Sequence, residues 1–259
     1  MKWGGIAVAL ALSMGASVAQ AATVEGRLEP RRTVAIGAQV SGPVAEVAVE
    51  EGERVAAGDV LARIERDSFQ AAVEEAEARV RKAEAVAKES GRELERQKKI
   101  YNRGLSSAHD LELAERDAAR DRAEVDAAKA AVKRAQVDLR RTRITAPMDG
   151  VVLQRKVHPG ETVIANLQPP LLFRLAAPLD RLDAVVAVPQ DQVGGVNEGD
   201  TLDVSFPGLD GRSREGEVVR VARLPGDSEA EEARYPVRVR VANDGGELRP
   251  GMKARVTLP

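Results

Sequence analysis

SGPVAEVAVEEGERV, residues 41–55, lies without gaps on DGVVLQRKVHPGETV, residues 149–163. Gly42 matches Gly150, Val44 matches Val152, Val49 matches Val157, Gly52 matches Gly160, Glu53 matches Glu161 and Val55 matches Val163. A repeat with its glycines at turn positions and its valines in strand-like runs marks two halves of one domain. Each copy alternates β-branched and polar residues between Gly or Pro, the pattern of short strands joined by tight turns. Half a sheet of this size cannot bury its apolar face alone, so the copies are expected to close on each other as a small β sandwich. Whatever separates them is then an insertion.

That insertion, residues 69–142, contains no Pro and only Gly91 and Gly104. Its first arm sets Phe69, Val73, Ala76, Val80, Ala83, Ala87, Ser90, Leu94 and Gln97 at alternating steps of four and three. The second arm repeats the device with Leu111, Ala114, Ala118, Asp121, Val125, Ala128, Val132, Ala135, Leu139 and Thr142. This spacing is a coiled-coil seam, and the remaining positions are filled mostly by Glu, Arg, Lys and Asp. The many alanines predict a narrow seam between closely approaching helices. Only Asn102-Arg103-Gly104-Leu105-Ser106 separates the arms, which makes them antiparallel neighbours. Gly104 suits a left-handed end to the first helix. Ser106 or Ser107 suits the cap of the second, whose first turn holds Asp110 and Glu112. Arms of some thirty residues project roughly 45 Å at about 1.5 Å per residue. A charged hairpin is most simply a solvated spacer, but nothing inside the chain is expected to reach a tip carried so far out.

After Leu175 the helical period stops. Residues 183–188, 201–206, 217–221, 235–241 and 253–258 read as strands, with a short helix over 189–196 opened by Pro189. Several short strands and one small helix predict a compact β-barrel. The fold class is therefore mixed α and β, elongated and multi-module: a split β sandwich, an inserted antiparallel α-helical coiled-coil hairpin, and a small β-barrel.

Composition agrees with thin modules. Aromatic residues are only 2% of the 259, so Val, Leu, Ile and Ala are left to build the cores. The formal charge is −2 from 39 basic and 41 acidic residues, without the basic excess or aromatic interleaving of a nucleic-acid binder. The N-terminus, MKWGGIAVALALSMGASVAQA, has a charged start, an apolar run and an Ala19-Gln20-Ala21 site, which reads as a cleavable secretory signal peptide over 1–21. The rival is an uncleaved anchor, but the apolar run is shorter than the ~20 residues that span a bilayer. With no Cys, neither a disulfide nor a lipid-modified N-terminal cysteine is available.

In its order of parts the chain resembles the membrane fusion proteins of the HlyD-like family, the periplasmic adaptor subunits of tripartite efflux pumps. The residues that carry the resemblance are VSGPVAEVAVEEGERVAAGDVLARI (40–64), RITAPMDGVVLQRKVHPGETV (143–163) and LRPGMKARV (248–256). It implies lipoyl-like halves over 34–68 and 143–175 with turn glycines Gly42, Gly52, Gly58, Gly150 and Gly160, the hairpin over 69–142, and a barrel over 176–259. Members commonly continue into a membrane-proximal domain, whereas the sequence given stops at Pro259. Residues 22–33 are expected to add a strand to the barrel or to a vestigial form of that domain.

The resemblance also implies partners: an inner-membrane transporter, RND or else ABC, an outer-membrane channel, and other copies of the chain in a ring, a hexamer. Family tips that engage the channel are similar to an Arg, three residues, Leu, six residues, Ser pattern. Arg96, Ile100 and Ser107 stand at those spacings, with Ile in place of Leu. On that reading Arg96 pairs with carboxylates or carbonyls of a partner helix, Ile100 fills its groove and Ser107 bonds main chain. The rival reading leaves Arg96 a solvated helix residue, Ile100 a seam residue and Ser107 a cap.

No chemistry competes with an adaptor role in this reading. A lipoyl-like fold can carry lipoate or biotin on a Lys, but the insertion occupies that place and no D-K-A or M-K-M occurs. His109 and His158 are far apart on different modules, which builds neither a hydrolytic triad nor a metal site. Met1 and Met14 fall in the signal, which leaves no methionine cluster. The expectation is a non-enzymatic protein without a cofactor. A secretion-system adaptor, a carrier domain and a free-standing spacer are the alternatives.

Overall fold

The computed structural model describes residues 22–165, 170–226 and 233–259. The expected signal segment lies outside them, and among the described residues no helix is long and apolar enough to cross a membrane. The chain divides into two compact units, residues 30–179 and the N-terminal strand joined to residues 180–259.

Strand β1 (Thr23–Pro30) belongs with the second unit and leads into the first, whose strands are β2 (Thr33–Gly37), β3 (Gly42–Val47), β4 (Arg54–Val55) and β5 (Val60–Ile64). Helices α1 (Asp67–Tyr101) and α2 (Ala108–Arg141) follow, then β6 (Arg143–Thr145), β7 (Gly150–Arg155), β8 (Thr162–Val163) and β9 (Leu171–Ala176). Two four-stranded sheets result, ordered β2-β9-β7-β4 and β6-β5-β3-β8, and each takes strands from both copies of the repeat. The copies exchange equivalent backbone bonds. Gly52 N–H donates to Val152 O at 2.8 Å and Gly160 N–H donates to Val44 O at 2.8 Å. Val152 N–H returns one to Glu53 O at 3.0 Å and Val44 N–H one to Glu161 O at 2.8 Å. One core joins Val44, Val55, Leu61 and Ile64 to Val152, Val157, Val163 and Phe173. Neither copy could form these ladders without the other.

A single turn device recurs at the corners. A carboxylate accepts from the backbone N–H three residues earlier: Glu53 from Glu50 at 2.9 Å, Asp59 from Ala56 at 2.7 Å, Glu161 from His158 at 2.9 Å and, in the other unit, Asp200 from Asn197 at 2.7 Å. The residue before each acid is a glycine at positive φ, +87° at Gly52, +95° at Gly58, +87° at Gly160 and +97° at Gly199. That conformation is strained for a residue with a Cβ.

The insertion is an antiparallel pair packed along the seam that the spacing predicts. Ala76, Ala83 and Leu94 of α1 and Ala114, Ala118, Val125 and Ala128 of α2 are buried, while Val73, Val80, Ala87, Leu111, Val132 and Leu139 are half-buried. Alanines on both sides give little lateral cover, which leaves much of the seam partly open. Asp121 is the buried charged residue of the seam. Arg120 Nε donates to its Oδ1 at 2.9 Å and holds its carboxyl below the usual range, with a smaller contribution from Ser90 on the facing arm. At the base, Phe69 packs on the sandwich core and Ile64 N–H donates to Thr142 O at 2.8 Å.

The second unit holds β10 (Arg181–Pro189), the short helix α3 (Gln190–Val193), β11 (Thr201–Ser205), a 3₁₀ turn over residues 207–209, β12 (Ser213–Val221), β13 (Arg234–Ala242) and β14 (Lys253–Thr257). With β1 these strands close a barrel in the order β1-β10-β13-β12-β11-β14. Leu28, Leu182, Ala184, Val186, Val204, Val218, Val239 and Val256 are buried, the inward set of alternating strands. β12 begins before the expected residue 217 and runs through Gly216, where a Cβ would meet Val239 Cγ1 at 2.6 Å. Gly216 thus permits a close strand crossing rather than ending a strand. On the opposite face the carboxylate of Asp183 is covered by Arg240, whose Nε donates to it at 3.1 Å.

Candidate functional site: the hairpin tip

The tip is built by two helix ends of opposite chemistry. At the end of α1, Gly104 takes φ +73°. Its N–H donates to Tyr101 O at 2.9 Å, and Leu105 N–H reaches back to Ile100 O at 3.1 Å. These paired bonds form a Schellman end, which satisfies carbonyls that the helix leaves open and sets Leu105 beside Ile100. At the start of α2, Ser107 is the N-cap and Asp110 completes a capping box. Asp110 N–H donates to Ser107 Oγ at 3.1 Å, and Asp110 Oδ2 accepts from Ser107 N–H at 3.2 Å and from Ser107 Oγ at 2.6 Å. The Ser107 hydroxyl bond, followed by its backbone N–H bond, holds the Asp110 carboxyl below its usual range.

Between the two ends lies a groove of about 440 Å³, lined in part by Ile100, Leu105, Leu113 and Asp110. Of the residues expected to dock, Ile100 is half-buried and lines this groove. Arg96 is exposed one turn earlier and ion-paired with Glu93, outside the lining. The hydroxyl of Ser107 is held by Asp110, and the serine that meets α1 is Ser106, with Oγ 3.2 Å from Gln97 Oε1. Leu105, which the sequence places in the turn, stands 75% exposed at the apex. The available signal was one large apolar residue in an otherwise polar turn.

The five glycines divide into two kinds. Gly52, Gly58 and Gly160 occupy turns at positive φ. Gly42 and Gly150 open strands β3 and β7 instead, where a Cβ would meet Ile64 Cγ2 at 2.8 Å and collide with the carbonyl oxygen of Ala176 respectively. Their smallness is what matters there. Among the described residues no group of three or more His, Cys, Asp and Glu could hold a metal.

Residues 32–174, more than half the chain, match the family model described as RND MFP, barrel-sandwich hybrid domain, where MFP stands for membrane fusion protein. This chain belongs to the RND membrane fusion proteins. Residues 184–259 also match a CusB-like β-barrel domain. The relatives of this membrane fusion protein include the nodulation protein NolF of Rhizobium meliloti (strain 1021), 30% identical over 234 residues that make up 88% of this chain and 60% of NolF. Another is the macrolide export protein MacA of Yersinia pestis, 31% identical over 248 residues, 90% of this chain and 66% of MacA. The chain thus spans 60% and 66% of the length of these two relatives. The fold is shared with a MacA–MexA chimera that contains the Pseudomonas aeruginosa MexA α-hairpin domain, at TM-score 0.71, 24% identity and coverage of 92% of this chain and 80% of that one. It is also shared with the membrane fusion protein Spr0693 of Streptococcus pneumoniae R6, at TM-score 0.73 and 15% identity over 92% and 98% of the two chains.

Proposed function

We propose that this chain is a non-enzymatic periplasmic adaptor that links an inner-membrane efflux transporter of the RND class to an outer-membrane channel. The observation that carries the reading is the hairpin. Arms of 35 and 34 residues, roughly 50 Å long, bring a partly apolar groove to their far end, where packing of the sandwich does not require one. Relatives named for macrolide export, multidrug resistance and a periplasmic linker of an efflux pump support the same role. Six copies side by side form a ring through which substrate passes without being transformed. Residues 1–21 direct export to the periplasm and are then removed. The lipoyl-like halves, hairpin and barrel take the bounds given above. Arg96, Ile100 and Ser107 belong to the channel-docking tip, with Ser107 shaping the turn rather than offering a free hydroxyl.

The absence of cysteine makes the test direct. A single Cys at Arg103, an exposed turn residue, is compared by crosslinking in intact cells with one at Glu74, exposed near the hairpin base. An adduct with an outer-membrane channel from position 103 and none from position 74 is the expected result. A folded, periplasmic protein that gives no channel adduct from position 103 sinks the docking claim and leaves the hairpin a spacer.

A further inference from the structure

Strand β6 ends its sheet, with β5 on one side and no strand on the other. Thr142 O accepts from Ile64 N–H at 2.8 Å and Ala146 N–H donates to Asp59 O at 2.9 Å, so these backbone groups face β5 and the turn before it. The alternation of an antiparallel strand turns the N–H and C=O of Arg143 and Thr145 the other way, along the open edge. Beside that edge, between the end of α2 and the end of β2, lies a groove of about 270 Å³ whose charged lining is Arg140, Arg141 and Arg143. Arg141 is paired with Asp138 at 3.3 Å, whereas Arg140 and Arg143 have no ion pair among the described residues. Arg143 also stands directly opposite Arg63, whose partner is Glu46. Like charges in that register are unfavourable, so packing within the sheet does not call for a cation at 143. A charge on an open edge turns away strands of the same sign and leaves acidic ones admissible.

We propose that the β6 edge receives an extended acidic segment of a partner protein, which adds a strand beside Arg143 and Thr145 and sets its carboxylates against Arg140 and Arg143. Main-chain bonds to the edge supply the affinity, and the unpaired guanidiniums supply the choice of sequence. A free anion fits less well, because it could use the guanidiniums and the edge N–H groups but would leave the edge carbonyls without a donor. The surface lies at the base of the hairpin and goes beyond the adaptor reading, which can fail at the tip without touching it.

The purified full chain is titrated with a fluorescein-labelled hexapeptide that alternates Glu and Val, and binding is followed by anisotropy. Saturable binding is expected, with protection of the Arg143 and Thr145 amides from hydrogen exchange. The affinity should fall about tenfold in Arg143→Gln, a variant that melts as the parent does. The same peptide with alternate amides N-methylated keeps its charge but cannot form the ladder, and should bind the native protein about tenfold more weakly. A peptide alternating Lys and Val should not bind, and equal binding by it overturns the acidic partner. Equal binding of the methylated peptide, or full displacement by tripolyphosphate without amide protection, makes the groove an anion site and overturns strand addition. No binding by the native protein, or an Arg143→Gln affinity within about twofold of the parent, overturns the proposal. Loss of self-association in Arg143→Gln, measured by sedimentation, assigns the edge to a second copy and overturns the separate partner.

Discussion

At the scale of single residues, the glycines separate two physical demands that look alike in sequence. Gly52 sits at φ +87° with open space around its Cβ position, whereas Gly150 has no such dihedral but faces the Ala176 carbonyl oxygen. Alanine at 52 meets only the left-handed backbone penalty, about 1–2 kcal/mol. At 150 it must push two strands of one sheet apart, an overpacking cost of about 1–3 kcal/mol that falls on the pairing of β7 with β9. Denaturant melts of Gly52→Ala and Gly150→Ala are therefore expected to fall in stability for different reasons. A compensating Ala176→Gly change, which leaves the carbonyl in place, should rescue neither. Backbone amide exchange across β7 and β9 should rise in Gly150→Ala alone. Both glycines were legible as special in the aligned repeat. Which demand each one answers was not, because a close approach is made by a strand distant in sequence.

At the scale of elements, the hairpin shows how far periodicity reaches. The heptad-like spacing gave the seam correctly, including Asp121 among its members, because a helix fixes which residues share a face whatever it packs against. The tip was less legible. Arg96, Ile100 and Ser107 are correctly spaced along the chain, but the turn sends the Ser107 hydroxyl to Asp110 and brings Leu105 and Ser106 to the groove side. Ser107→Ala should lower hairpin stability by about 1 kcal/mol, the usual value of an N-cap. The pH dependence gives the cap a signature. The folded Asp110 carboxyl lies below its ordinary value of 3.8, so its contribution is fully present above about pH 4 and is lost as pH falls through the folded value. The stability gap between the native protein and Ser107→Ala should then be constant near neutral pH and narrow below pH 4. Thermal melts from pH 3 to pH 7 check it, and a gap that widens on acidification rejects the assignment.

At the scale of the whole molecule, the strand that closes the barrel comes from the far end of the chain. β1 pairs antiparallel with β14 from Thr23↔Thr257 to Arg27↔Lys253 and lies against β10 on its other side. Gly26 makes the second approach feasible, since a Cβ there would collide with the backbone oxygen of Val185. Deleting residues 22–29 should leave β10 and β14 as open edges, with the aggregation that unpaired edges invite. Light scattering together with tryptic mapping of residues 180–259 would detect it. Residues 34–176 should stay protected, because the sandwich core is completed within its own unit. A variant that does not aggregate and keeps a protected barrel would show that β1 is dispensable.

Local and periodic features were settled by sequence alone: the duplicated half, the helical insertion and its seam, and the resemblance to membrane fusion proteins. Each depends on residues within a few turns of one another or on a repeat that the eye can align, so the chain itself carries the information. Tertiary structure decided which sheet each short strand joined, that β12 runs on through Gly216, and which face of the turn Leu105 and the two serines occupy. Strand partners and the exposure of a side chain are properties of segments distant in sequence, and β-strands of two to six residues carry too little pattern to specify their neighbours.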